Sequence, residues 1–183
     1  MLNKIKPSVK EPLIVYTTGL IITVLAAIFF GIVGYPPVNT VSGSLGITTP
    51  SIYMLPVFFP YGMLLGEVIY LGIERKKRVF SLLLLIECII IGLFSFIRYV
   101  VQIPFSGHSI ILFFYIVHQC LTYKLRYPMR FIIGIIVLVI TLIYKIFFWN
   151  DPLTFFLGAL LGIILWIPEG IYIIKKDRDF LSN

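Results

Sequence analysis

The chain has 183 residues, of which 60% are hydrophobic and 13% charged, with a formal charge of +7 and a mean hydropathy of +1.04. A water-facing globule needs far more polar residues than this, so composition excludes a soluble domain and makes the bilayer the expected solvent. Thirteen of the fifteen Lys and Arg residues fall in four clusters, Lys4/Lys6/Lys10, Arg75/Lys76/Lys77/Arg78, Lys124/Arg126/Arg130 and Lys175/Lys176/Arg178, that alternate with long apolar runs. They never interleave with a soluble aromatic face, which argues against a nucleic-acid partner.

A hydrocarbon core about 30 Å thick is crossed by roughly 20 mainly apolar residues. Six runs qualify, at about 12–34, 51–73, 79–102, 107–123, 131–149 and 152–174. The predicted fold is therefore all-α, a single-domain polytopic integral membrane protein with six transmembrane helices. Basic clusters are retained on the cytoplasmic side, which places both termini in the cytoplasm and makes 35–50, 103–106 and 150–151 external. The expected location is a cell membrane, where the basic ends also attract anionic inner-leaflet lipid.

Taken in chain order, the first run is too long for the h-region of a signal peptide and lacks a clear A-x-A site, so a retained span is expected. Residues 35–50 are rich in Pro, Gly, Ser and Thr and predict turns over the external mouth. Pro56 and Pro60 predict a kink in the second span, because each removes a backbone donor. Gly62 and Gly66, and again Gly158 and Gly162, have the spacing of small-xxx-small helix contacts. Cys88 and Cys120 lie within spans and are expected to be small buried apolar residues without a disulfide. No internal repeat is visible, which weakens transporter architectures built from duplicated halves.

Ionisable groups inside spans are costly and each is a functional hypothesis by default. At about 1.5 Å per residue, Arg98, His108 and Lys145 fall toward the external face, while Glu67, Glu87, His118 and Glu169 fall toward the cytoplasmic face. In the outer group, Ser106 is placed to cap the fourth helix, with Gly107 leaving its first N–H groups open. A helix N-terminus beside Arg98, His108 and Lys145, with Asn150 and Asp151 in the next external turn, describes a phosphate site. Snorkelling of Arg98 and Lys145 to the head groups is the simpler alternative. For the inner group, Glu87 and His118 lie at similar depth on consecutive spans and with Glu67 and Glu169 could form a proton-relay or metal constellation; one buried Glu–His hydrogen bond, with carboxylates snorkelling toward the basic loops, is expected in preference. No metal-ligand spacing such as H-E-x-x-H is present, and no metal or cofactor is predicted.

The string Pro104-Phe105-Ser106-Gly107-His108 at the start of a fourth span resembles the P-S-G-H motif of the phosphatidic acid phosphatase type 2 superfamily, and more closely the F-S-G-H-S block of its sphingomyelin-synthase-like relatives. Asn150-Asp151-Pro152 followed by Gly158-Ala159-Leu160-Leu161-Gly162 is similar to that family's last block. The resemblance covers roughly the second half of the chain and is degenerate. The family's nucleophilic histidine aligns with Asn150, its supporting aspartate with Thr154 and its last-block arginine with Tyr144, while its first block is reduced to Arg98 followed by Tyr99. An asparagine amide cannot attack phosphorus, so the two-step mechanism of the family is unsupported.

The resemblance implies a lipid-phosphate phosphatase or phosphotransferase-like protein. His108 and Asp151 would act on the phosphoester, and Arg98, Ser106, Gly107, Lys145 and Asn150 would bind substrate. One alternative is a catalytically inactive relative or membrane subunit that binds or translocates an anionic polyprenyl or phospholipid. Another is a proton- or cation-coupled carrier using Glu67, Glu87, His118 and Glu169. The expected partner is an anionic membrane lipid, with an oligomer or larger membrane complex as the remaining case.

Overall fold

The computed structural model describes residues 10–33, 55–73, 78–101, 103–122, 128–144 and 152–175. Among these the chain is all-helical: α1 is Lys10–Val33, α2 Leu55–Ile73, α3 Arg78–Val101, α4 Gly107–Val117, α5 Pro128–Tyr144, α6 Pro152–Leu165 and α7 Ile167–Lys175. The last turn of α4 widens into a π-helical segment, His118–Thr122. Helices α6 and α7 form one rod broken at Trp166, because Pro168 has no N–H to continue the ladder. By contrast α2 runs through Pro60, which sits near its start.

Two helical stretches are long and apolar enough to cross a membrane, Arg78–Ser95 and Pro152–Lys175; Glu11–Ala26, Phe58–Ile73, Gly107–Thr122 and Pro128–Ile143 are apolar but shorter. Apolar side chains cover much of the outer surface, while a set of ionisable side chains is buried alongside the apolar core. Leu20, Ile28, Leu82, Ile89, Ile136, Phe156 and Leu160 lie exposed on the outer faces, whereas Glu67, Glu87, His118, Arg130 and Glu169 are buried inside. In water such a continuous apolar surface would aggregate.

Helix α4 is central and touches α2, α3, α5 and α6, while α1 packs chiefly on α2. The core joins Val15, Met63, Leu64, Phe80, Leu84, Ile91, Ile110 and Phe114. Both glycine pairs serve close approach, as their spacing predicts. A Cβ on Gly62 or Gly66 would lie 2.7 Å from the α1 backbone at Gly19 or Val15, and one on Gly162 would lie 2.5 Å from the Ile110 carbonyl oxygen of α4. Cys88 is buried and Cys120 half-buried, and both are free thiols.

Side-chain bonds fix the relative direction of the helices. The Ser81 hydroxyl near the start of α3 donates to the Val68 carbonyl near the end of α2 at 2.7 Å. Arg130 at the start of α5 reaches Glu67 of α2 and Glu11 at the start of α1. Helices α1, α3 and α5 therefore begin at the end of the bundle where α2, α4 and α7 finish.

Candidate functional site

Two polar regions lie at opposite ends of the bundle. The better defined one gathers side chains from α1, α2, α4, α5 and α7, with α3 adding Glu87. Its centre is His118, fully buried at the first position of the π-helical turn. The extra residue of a π turn offsets the helix face, and such turns are frequent at functional sites. The imidazole stacks on Phe114, one turn earlier, with ring centroids 6.1 Å apart and planes 9° from parallel.

Held in this way, the ring presents one nitrogen to each of two carboxyl groups. Nδ1 lies 2.8 and 2.9 Å from the Glu169 oxygens and Nε2 lies 2.6 Å from Glu67 Oε2. Two ring nitrogens facing two carboxylates are satisfied together when both carry hydrogen, which makes the ring an imidazolium.

Further donors complete the chain of bonds. Glu67 Oε1 accepts from the Gln119 amide at 3.0 Å and from Arg130 Nη1. Arg130 extends to Glu11 at 3.5 Å, packs 6.0 Å from the Tyr16 ring centroid, and offers its carbonyl to the Tyr115 hydroxyl at 3.2 Å. Glu169 accepts from the Thr122 hydroxyl, which accepts from the Trp166 indole N–H at 3.2 Å. The sequence Trp166, Thr122, Glu169, His118, Glu67, Arg130, Glu11 is thus continuous across the bundle.

Glu87 differs from the rest. Its carboxyl lies beside the side chain and backbone of Glu169, it is only 3% exposed, and neither of its oxygens makes a well-formed hydrogen bond among the described residues.

These observations correct the sequence reading in three respects. The expected single Glu–His hydrogen bond is instead a double one, His118 to both Glu67 and Glu169, because helix rotation and not depth alone decides which groups face each other. Glu67, Glu87 and Glu169 are buried and do not snorkel. Arg130, counted as a cytoplasmic topology charge, is 1% exposed and neutralises Glu67 within the bundle. Sequence reasoning also missed Glu11, Gln119, Thr122 and Trp166. Of these only Glu11 carried a signal, a carboxylate next to Lys10 in an otherwise basic N-terminal segment. Among the described residues, no group of three or more His, Cys, Asp or Glu side chains is arranged to hold a metal ion.

The second region is the start of α4. Ser106 occupies the N-cap position with extended backbone, φ −89° and ψ 115°, but its hydroxyl makes no capping bond. Instead the Ser109 hydroxyl donates back to the Ser106 carbonyl at 2.9 Å. The Ser106 N–H donates to the Thr154 carbonyl of α6 at 2.8 Å. Gly158 lies beneath this junction, where a Cβ would stand 2.3 Å from Ser109 Oγ and 2.4 Å from the Ser106 carbonyl oxygen. Gly107 faces Ser95 of α3, whose Oγ would be 3.0 Å from a Cβ there. Phe94 of α3 meets Phe105 edge-on with ring centroids 6.3 Å apart.

His108 is buried at this junction. Arg98 lies in the last turn of α3, three residues beyond Ser95. Lys145, Asn150 and Asp151 lie outside the described residues. The structure thus brings Ser106 against the α6 backbone and Gly107 against Ser95 of α3, with His108 buried next to them in sequence.

No protein-family model, no curated protein and no solved structure matches this chain.

Proposed function

We propose that this chain is a six-span integral membrane protein, with both termini cytoplasmic, that binds a phosphorylated lipid at its external rim as a phosphatase- or phosphotransferase-like protein. One observation carries the reading: the segment 104–108 docks on the start of α6. The Ser106 N–H bonds to the Thr154 carbonyl, and Gly158 lies under Ser106 and Ser109. These are the two sequence-distant blocks on which the resemblance to phosphatidic acid phosphatases rests, and their contact is what a shared site requires.

In this reading Arg98, Lys145 and the N–H groups of Gly107 and His108 hold the phosphoryl oxygens. The Ser106 N–H, being committed to Thr154, takes no part. His108 acts as general acid toward the leaving group. Asn150 contributes a neutral amide to substrate binding, and Asp151 orients His108. The test is turnover of lipid phosphates by the purified chain in lipid nanodiscs. Wild type should release phosphate and His108→Ala should lose at least about a hundredfold in rate, the usual scale of general acid–base catalysis. Equal rates in the two proteins would exclude the enzymatic role. Retention of an anionic phospholipid without turnover, seen by native mass spectrometry, would identify a catalytically inactive lipid-binding relative.

A second reading, an ion-coupled carrier, is favoured by the buried network that links α1, α2, α4, α5 and α7. It requires an exchangeable ion within that network.

A further inference from the structure

The inner network contains one acidic group that its hydrogen bonds do not account for, and we propose that Glu87 is a proton-binding site that holds its proton in a hydrogen bond to the Glu169 carboxylate. Among the described residues, Glu11 comes from α1, Glu67 from α2, His118 from α4, Arg130 from α5 and Glu169 from α7, while Cys88 and Tyr115 are the neutral titratable neighbours. Arg130 and an imidazolium at His118 supply two positive charges. Glu11, Glu67 and Glu169 supply three negative ones, so these five groups leave one negative charge before Glu87 is considered.

The side-chain donors of this network are already used on the other carboxylates. Glu67 takes His118 Nε2, Gln119 and Arg130, and Glu169 takes His118 Nδ1 and Thr122. Glu87 takes none of them. It is also the deepest of the carboxyl groups, nine residues into α3, or roughly 13 Å along the axis at about 1.5 Å per residue.

An ionised carboxylate there would be a second uncompensated charge, buried and adjacent to Glu169. A carboxyl group that keeps its proton has the donor it needs, and the Glu169 carboxylate beside it is the acceptor. The step is a simple association: the Glu87 carboxylate takes one proton from water at the α7 end of the bundle, forming an O–H that donates to a Glu169 oxygen. The pair then carries one negative charge, the charge that His118 is placed to neutralise. A pair of oxygens lacking donors also suits a sodium ion, and this is the competing occupant that the experiment must separate.

The test is infrared difference spectroscopy of the full chain in lipid nanodiscs, recorded against pH. The expected result has three parts. A protonated-carboxyl C=O band persists well above the range near about pH 4 where exposed carboxyl groups ionise. The band is lost in Glu87→Gln, and it is indifferent to replacing potassium with sodium. Absence of such a band from wild type overturns the proposal without any variant. So does a band that survives in folded Glu87→Gln, or one that sodium removes at constant pH. Should Glu87→Gln fail to fold, Glu87→Asp must shift the band, and an unshifted band overturns the assignment. The measurement reads the inner site alone, so it succeeds or fails independently of phosphate release at the outer rim.

Discussion

Replacing Arg130 with Met keeps the apolar stem of the side chain and removes the guanidinium and its charge. In wild type, Arg130 Nη1 bonds to Glu67 and Nη2 lies 3.5 Å from Glu11. Removing one partner of a buried ion pair costs about 3–5 kcal/mol, because the remaining charge stays desolvated without compensation. Glu67 keeps Gln119 on Oε1 and His118 on Oε2, which places the expected cost at the lower end, about 3 kcal/mol. For a chain of this size each kcal/mol moves the midpoint by about 2–4 °C, so a fall of roughly 6–12 °C is expected.

The assay is fluorescence-detected size exclusion after heating, in one detergent and at one protein concentration. The coupled variant Arg130→Met/Glu67→Gln should recover a substantial part of the loss, since it removes both charges together. Equal midpoints for wild type and Arg130→Met would refute the reasoning, because they would mean that the guanidinium neutralises nothing inside the bundle. A double variant less stable than the sum of its singles would refute it equally.

Two further outcomes test the helix packing and the proposed topology. Gly158→Ala should destabilise the chain by about 1–3 kcal/mol through overpacking, since its Cβ would meet Ser109 Oγ at 2.3 Å and the Ser106 carbonyl at 2.4 Å; an unchanged heating profile would show that α4 and α6 are not in contact there. With Cys88 and Cys120 replaced by Ser, an impermeant maleimide applied to intact cells should label Ser44→Cys and spare Ser182→Cys, and the reverse pattern would invert the proposed topology.

Helix identity is legible in the chain because it depends on sequence neighbours. Runs of about 20 apolar residues, interrupted by Pro, Gly and charge, specify where a helix starts and stops. The two glycine pairs announce backbone contact by spacing alone, and Gly62, Gly66, Gly158 and Gly162 all meet another helix as that spacing predicts. The depth of each ionisable group is readable too, since the rise per residue is constant. Counting residues along each span is enough to place Glu67, Glu87, His118 and Glu169 near one end of the bundle.

Which of those groups touch is a different quantity, set by the rotation of each helix about its axis and by the packing that selects it. Depth alone sets His118 level with Glu87 on the preceding helix, whereas the packed bundle turns the ring toward Glu67 and Glu169. Arg130 shows the same effect from the other side. In the sequence it belongs to a run of basic residues at a helix start, indistinguishable from Lys124 and Arg126. In the structure the first turn of α5 points it between α1 and α2, where two carboxylates replace the water it gave up. The linear chain determines the helices and the level of their charges, because hydropathy and rise are local. Only the tertiary structure decides that Glu87 is left without a side-chain donor among the described residues, because that follows from how the other helices have already distributed theirs.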